Sequence, residues 1–378
     1  MDFSLTEEQQ AVRDLALQIF TGQATLERLK EIETADDARG PFDEKLWSAL
    51  ADAGLLGIGL PEVYGGAGLD FVALSQIIEV AGLTAAYAPV VETLVGVADT
   101  LARFATDDQK SQWLPKISAG EVVATVTTAE LVGELVADAM SAPTTTAQSV
   151  DGGFVLNGTK ACVASGLRAD LFLIPATLAS GDVGVFLVTA DAVTTERQDA
   201  ASRPEAIVTL KDATIDVSNL LGGVDADGAE ILSSIVTRYT SALCTMEAGA
   251  VTSAVRLGAE YTSEREQFDK KIATFQAVGQ RMADAYVDAE AIRLTAIQAA
   301  WRISEGLDAV DQTAIAKFWA AEGGQRVVHA STHVHGGVGV DRDYPLHRFF
   351  LLTRQIELTL GGATANVLAI GASMAASA

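Results

Sequence analysis

The hydrophobic pattern divides the chain into three stretches. Over 4–20, Val12, Leu15, Ala16 and Ile19 recur at helical spacing, Ser4 or Thr6 can cap the start, and Glu7 and Glu8 suit the first turn. Leu46, Trp47 and Leu50 share one face of a second helix over 43–54. Gly54, Gly57, Gly59, Pro61 and Gly65-Gly66 then replace the period with a turn-rich loop. Helical spacing resumes over 72–81, 90–104 and 107–118. From about Gly120 the pattern becomes short runs of Val, Thr, Ile and Phe at 122–128, 154–156, 171–174, 183–189, 206–210 and 213–217. Asp151-Gly152-Gly153 is a hairpin signal among them. From Gly228 a stripe of Ile231, Ile235, Tyr239, Ala242, Met246, Ala250, Ala254, Leu257 and Tyr261 predicts one very long helix. Helices follow over 274–304, 308–333 and 344–360, with a last one to the C-terminus, and long helices on short connections imply a bundle. The pattern therefore predicts an α+β fold: a helical domain over 1–120, an antiparallel β-barrel or sandwich over 121–222, and a helical bundle over 223–378.

Composition narrows the function. With 49% hydrophobic and 20% charged residues in 378, the chain can bury a core of two or three domains. A formal charge of −24 argues against nucleic acid and against docking on anionic lipid. Cys162 and Cys244 stand far apart without a CxxC, which fits a reducing compartment and small core residues rather than disulfides or a thiolate metal site. The acidic, amphipathic opening MDFSLTEEQQ is not a signal peptide, and no apolar run reads as long enough to span a bilayer. The expectation is a cytoplasmic protein with no membrane partner.

Against that acidic background one cluster stands out, Tyr261 to Gln276, YTSEREQFDKKIATFQ. The long helix breaks through Asp269-Lys270-Lys271 and restarts at Thr274. Arg265 and Phe268 are three apart, so on a helix they share a face and can deliver a cation and a ring to one ligand. Read alone, the stretch is a solvated helix end.

The motifs in order resemble the acyl-CoA dehydrogenase family of flavoenzymes across essentially the whole chain. MDFSLTEEQQAVRD looks like its first helix, and LWSALADAGLLGIGLPEVYGGAGLD (Leu46 to Asp70) is similar to its glycine-rich signature loop. QKSQWLPKISAGE (Gln109 to Glu121) and FVLNGTK (Phe154 to Lys160) resemble the helix leading to the sheet and a strand-turn within it. The Tyr261 to Gln276 stretch is similar to the family's RxxFG…FQ motif, and HVHGGVG (His333 to Gly339) to its QxxGGxG loop. The resemblance implies a C-terminal four-helix bundle carrying FAD at a subunit interface. It also implies that Arg265, Gln267, Phe268, Gln276, His333, Gly336 and Gly337 contact a neighbouring subunit's FAD, with Arg265 at the pyrophosphate. Asp269 stands where Gly is usual and His333 where Gln is usual.

The resemblance also locates what is missing. The family's base sits at one of two positions, which here hold Gly361 and Tyr239. Glycine has no acid or base function, and a phenol with an ordinary pKa near ~10 is a poor base. The TEPxxGSD-like stretch reads AELVGELVAD (Ala129 to Asp138), with only Glu130 matching; the Trp-Ile-Thr run against the flavin ring reads Cys162-Val163-Ala164, and Ala363 replaces a Thr. Contacts to the chain's own flavin are lost while contacts to a neighbour's remain. The implied protein is a non-catalytic subunit of a heteromeric acyl-CoA dehydrogenase, an α2β2 assembly with a homologous catalytic partner, of the kind found in actinobacterial steroid side-chain β-oxidation. An acyl-CoA substrate and an electron-transfer acceptor come with that implication. A self-sufficient homotetramer with a displaced base and a flavin-free scaffold are the alternatives. Glu247, 18 before Arg265, is the displaced-base candidate, ahead of Glu357 and Asp343. His329, His333 and His335 have an H-x3-H-x-H spacing that suits zinc, but the glycine loop accounts for the same residues and no metal is expected.

Overall fold

The computed structural model describes residues 3–130 and 143–376. Local chemistry sets the first elements. Helix α1 (Glu7–Gln23) starts at Thr6, whose hydroxyl accepts from Gln9 N at 3.2 Å while Gln9 Oε1 accepts from Thr6 N at 3.0 Å. This reciprocal cap satisfies two amides that would otherwise lack partners. The same Thr-x-x-Gln device opens the helix Asp107–Ser118 at Thr106 and Gln109. Between them lie α2 (Leu26–Thr34), α3 (Glu44–Asp52), α4 (Phe71–Thr84), a π-helix (Val91–Asp99) and α5 (Thr100–Phe104), so Asp107–Ser118 is α6. The expected helix over 90–104 is thus wound in two different ways, and α2, only nine residues long, places Leu29 and Ile32 inward.

The chain packs as two compact units. One takes Met1–Leu29, Ser75–Ala86 and Thr240–Ala378, the other Lys30–Leu74 and Tyr87–Tyr239. The second unit carries an eight-stranded sheet, ordered β1 (Ala124–Val126), β5 (Leu171–Leu178), β3 (Thr146–Val150), β4 (Gly153–Ala164), β8 (Glu205–Asp216), β7 (Thr194–Gln198). β2 (Ala129–Glu130) pairs with β4, and β6 (Val183–Thr189) with β5. β3 and β4 form the hairpin at Asp151-Gly152, Val150 facing Gly153. The sheet is mixed, because β5 runs parallel to both β1 and β3. Turn signals reveal hairpins, whereas a parallel neighbour depends on a long crossover that leaves no local mark. Phe172, Ile174, Phe186, Val188 and Val208 fill the core beneath, and Phe154 meets Phe186 edge-on at 5.1 Å.

Two irregularities shape β4. One extra residue on β8 faces Leu156–Gly158, where Asp212 takes φ +49 and exchanges hydrogen bonds with Asn157. One extra residue on β4 bulges between Lys160 and Val163, and Cys162 sits in it at φ +51, exposed rather than in the core.

The first unit is a bundle. Its helices are α7 (Gly228–Glu264), shared with the other unit, then α8 (Gln276–Ser304), α9 (Val310–His335), α10 (Leu346–Leu358) and α11 (Ala363–Ala376). Small buried residues such as Ala250, Ala289, Ala296, Ala316 and Ala320 bring the axes close, with Ile292, Val327 and Leu352 between them. α4 and α7 touch backbone to backbone. A Cβ on Gly82 would lie 2.0 Å from Met246 O, and one on Gly249 would lie 2.1 Å from Glu79 O. The stretch Leu346–Ala376 has mean hydropathy 1.3, high enough for a bilayer. The chain turns within it at Leu360 (φ +57) and Gly361 (φ +90), leaving helices of 13 and 14 residues, each shorter than the ~20 needed to span.

Candidate functional site

The predicted cluster lies where three elements of the bundle unit meet. α7 ends at Glu264, and residues 266–271 form a small antiparallel hairpin of β9 (Glu266–Gln267) and β10 (Lys270–Lys271). Arg265 and Phe268 therefore do not share a helix face: the helix stops one residue before Arg265. Phe268 (φ +54) and Asp269 (φ +59) are the two central turn residues. Both have positive φ, as a two-residue hairpin turn requires. Asp tolerates this conformation, which is how the turn forms without the family's glycine. For Phe it is strained, at a cost of about 1 kcal/mol. The ring is nonetheless 86% exposed, with an edge contact to Phe275 at 6.3 Å.

The hairpin's charges are sorted. Lys271 pairs with Glu266 at 2.9 Å and donates to Glu264 O at 2.8 Å, and Gln267 Nε2 donates to Glu266 O. Arg265 and Lys270 have no side-chain partner among the described residues. Gln276 begins α8, exposed, directly after Phe275. Two of the segment's three cations are thus available to an anion.

An aromatic joint ties this hairpin to the glycine loop. Tyr261, one turn before the end of α7, stacks on His335 at 4.3 Å and 25°. His335 Nδ1 lies 2.7 Å from Ser331 O, and Nε2 lies 3.0 Å from the Tyr344 hydroxyl. A carbonyl only accepts, so Nδ1 carries the proton and Nε2 accepts from Tyr344. Burial lowers the His335 pKa and favours this neutral form. Both ring nitrogens are committed, which removes His335 from any zinc set. His333 lies on the exposed side of the last turn, and His329 packs on Phe350 at 5.1 Å. Among the described residues no group of three metal-binding side chains occurs.

Gly336 ends α9 at φ +62, ψ −134, a conformation open to glycine alone. Gly337 differs, because its φ is not positive, and a Cβ at either glycine would meet nothing within 4 Å. This chain's own packing gives no reason for a glycine at 337. Arg265, Gln267, Phe268, Gln276, His333, Gly336 and Gly337 are all exposed, and the Tyr261–His335 stack joins the end of α7 to the glycine loop. An unpaired guanidinium, a bare aromatic face and an open glycine backbone suit a ligand that is both anionic and flat, and FAD is one.

The acid–base positions are closed. Gly361 is buried in the turn before α11, its carbonyl accepting from Asn366 Nδ2 at 3.2 Å. Tyr239 is 4% exposed, and burial raises its pKa well above the phenol range. Glu247 is 0% exposed inside the bundle, where Gly324 leaves it room: a Cβ there would lie 2.3 Å from Oε1. Neither carboxyl oxygen has a hydrogen-bond partner among the described residues, and burial pushes the pKa to about 8. The carboxyl faces protein on every side. Glu130 is held by Lys160 at 2.5 Å and by Thr144 and Thr145; although burial opposes it, these donors bring its pKa down to about 2, a structural carboxylate. The rest of the Ala129 to Asp138 stretch lies outside the described residues.

Comparison with known proteins shows the family. Models of the acyl-CoA dehydrogenase N-terminal and C-terminal domains match residues 6–121 and 227–374. The chain is 36% identical over 386 residues to the acyl-CoA dehydrogenase FadE27 of Mycobacterium tuberculosis, covering 99% of each. It is 30% identical to FadE28 of the same organism, covering 98% of each. Among solved structures, the ChsE4-ChsE5 complex from Mycobacterium tuberculosis contains a chain that matches with TM-score 0.91 at 36% identity over 99% of both. The Tcur3481-Tcur3483 steroid ACAD G363A variant gives TM-score 0.89 at 38% identity over 98% of both.

Proposed function

Because this chain belongs to the acyl-CoA dehydrogenase family, we propose that it is the non-catalytic subunit of a heteromeric, FAD-dependent acyl-CoA dehydrogenase. Its homologous partner holds the base and most of the flavin, and the two associate as α2β2. The observation that carries this reading is the pairing of a strained, exposed Phe268 beside an unpaired Arg265 with base positions that hold Gly361 and a buried Tyr239. One half of a flavin site is kept ready and the chemistry is gone.

The reaction is α,β-dehydrogenation of an acyl-CoA thioester, and when bound FAD supplies the hydride acceptor. This chain's share is binding and orientation. Arg265 offers a charge-assisted contact to the pyrophosphate. Phe268 and Gln267 would hold the adenosine half, and Gln276 and His333 would offer hydrogen bonds. Gly336 and Gly337 let backbone amides approach closely. The likeness to a steroid dehydrogenase complex supports a steroid side-chain thioester as substrate. Electrons pass to a separate electron-transfer acceptor, and two free thiols support a cytoplasmic setting.

Co-expression with a homologous partner tests the reading by colour. The chain alone is expected to be colourless and the complex yellow, and Arg265→Ala to lower FAD retention at least about tenfold, the weight of one lost charge-assisted hydrogen bond. A yellow homotetramer that dehydrogenates acyl-CoA unaided would establish the self-sufficient alternative. A colourless complex would establish the scaffold.

A further inference from the structure

Four connections of the sheet unit converge on one small cavity. Arg39 and Phe42 come from the link between α2 and α3, and Tyr87 from the turn before the π-helix. Ser165 and Arg168 follow β4, and Arg203 precedes β8. Three of these side chains are guanidiniums and no residue lining the cavity is acidic, in a chain whose formal charge is −24.

The guanidiniums are held by their faces. Arg168 lies over the Phe42 ring at 5.0 Å, and Arg203 over the Tyr87 ring at 5.5 Å. Stacking uses the flat faces and leaves the N–H edges for hydrogen bonds. Arg168 Nη2 donates to Asp37 at 2.6 Å and also to Gly40 O. Arg203 Nη1 donates to Ala88 O at 3.4 Å. Arg168 Nε has no partner among the described residues, although the side chain is only 10% exposed. A buried donor on a charged group left without an acceptor is costly.

The charges are uneven. Asp37 accepts from the Arg39 amide at 2.9 Å, which holds its pKa down, and it also lies 3.5 Å from Arg39 Nε. One carboxylate therefore serves two cations, Arg39 and Arg168. Arg203 has counter-charges of its own in Glu92 and Glu205, which are 7% and 8% exposed. Burial raises the Glu92 pKa, and the field of Arg203 opposes the rise. The surplus of positive charge lies on the Asp37 side.

The cavity holds about 30 Å³, room for one or two water-sized particles. Organic ligands take several hundred Å³. A guanidinium donates and never accepts, so a water here would face mostly donors, whereas a small anion accepts from all of them.

We propose that this cavity binds a single monatomic anion such as chloride, held by Arg168, with Arg39 and Arg203 completing the donor wall. The site does not depend on the flavin reading, because all of its residues belong to the sheet unit and Arg265 does not.

Bromide replaces chloride and can be located directly. Crystals of the full-length chain grown in bromide at ~0.1 M, a concentration that fills a site of ordinary ion affinity, are expected to show an anomalous peak beside Arg168 Nε. A water in its place without an anomalous signal overturns the site, and so does a peak seen only at molar bromide, the mark of an adventitious ion. In solution, thermal unfolding in sodium chloride and in sodium gluconate is compared at one ionic strength, so that screening is equal. Chloride should raise the midpoint by about 2 °C or more. Arg168→Lys, which keeps the charge but lacks the Nε donor, should abolish that difference. Equal midpoints for wild type in the two salts, or a variant that keeps the full chloride effect, overturn the site. Should the variant fail to fold, the bromide peak of the wild type decides.

Discussion

Arg265 and Arg203 are the same side chain put to opposite uses. Arg265 stands at an exposed hairpin with no partner among the described residues, next to a phenylalanine held in a costly conformation. Arg203 lies over an aromatic ring beside two buried carboxyls. One region keeps charge available and the other uses it up. Charge exposed at some local cost to the fold is charge reserved for another molecule. Charge buried against opposite charge is architecture, and removing one member strands the rest.

The sharpest contrast comes from a third charge, Glu247. Its folded pKa of about 8 lies above the ordinary 4.5. The folded state therefore holds a proton that the unfolded chain has released, and stability is full below about pH 4.5 and falls as pH rises through about 8. The drop is several kcal/mol in order of magnitude. Urea denaturation from pH 5 to 8 should show it, and Glu247→Gln should flatten the slope; an unchanged slope would assign the titration elsewhere. Next in size, Arg203→Ala leaves Glu92 and Glu205 without their cation and should cost about 3 kcal/mol. Phe268→Gly should have the opposite sign, raising stability by about 0.5–1 kcal/mol because glycine takes positive φ freely, while flavin retention by the complex falls. A variant that loses stability instead would remove strain from the account of this turn. Smallest of all, Arg265→Ala should move the unfolding free energy by less than about 0.5 kcal/mol, its effect confined to flavin.

How much of this is legible in the sequence depends on the range of the interaction. Caps at Thr6 and Thr106 and the turn at Asp151-Gly152 are written in neighbouring residues, and the structure has them. The hairpin at 266–271 escapes because Phe-Asp occupies a turn where Asn-Gly would announce it. The bulge at Cys162 escapes because register belongs to two strands at once. Glu92 left a signal, an acid within the apolar run VVETLVGVA, but its surroundings include Arg203 and Glu205, more than a hundred residues away. The exposed segment around Arg265 and the glycine loop could be read from a motif. The buried cluster of Glu92, Arg203 and Glu205 required tertiary structure, because it is made of residues that motifs pass over.

Gly336 and Gly337 look alike on the page and should have different histories. Gly336 answers to its own backbone and can change only if the end of α9 is rebuilt. Gly337 has no positive φ to keep and meets nothing in its own chain within 4 Å of a would-be Cβ, so any constraint on it comes from another molecule. In a lineage where the partner gene is lost, position 337 should drift first while 336 stays fixed, and the order of those two changes would date the end of the association.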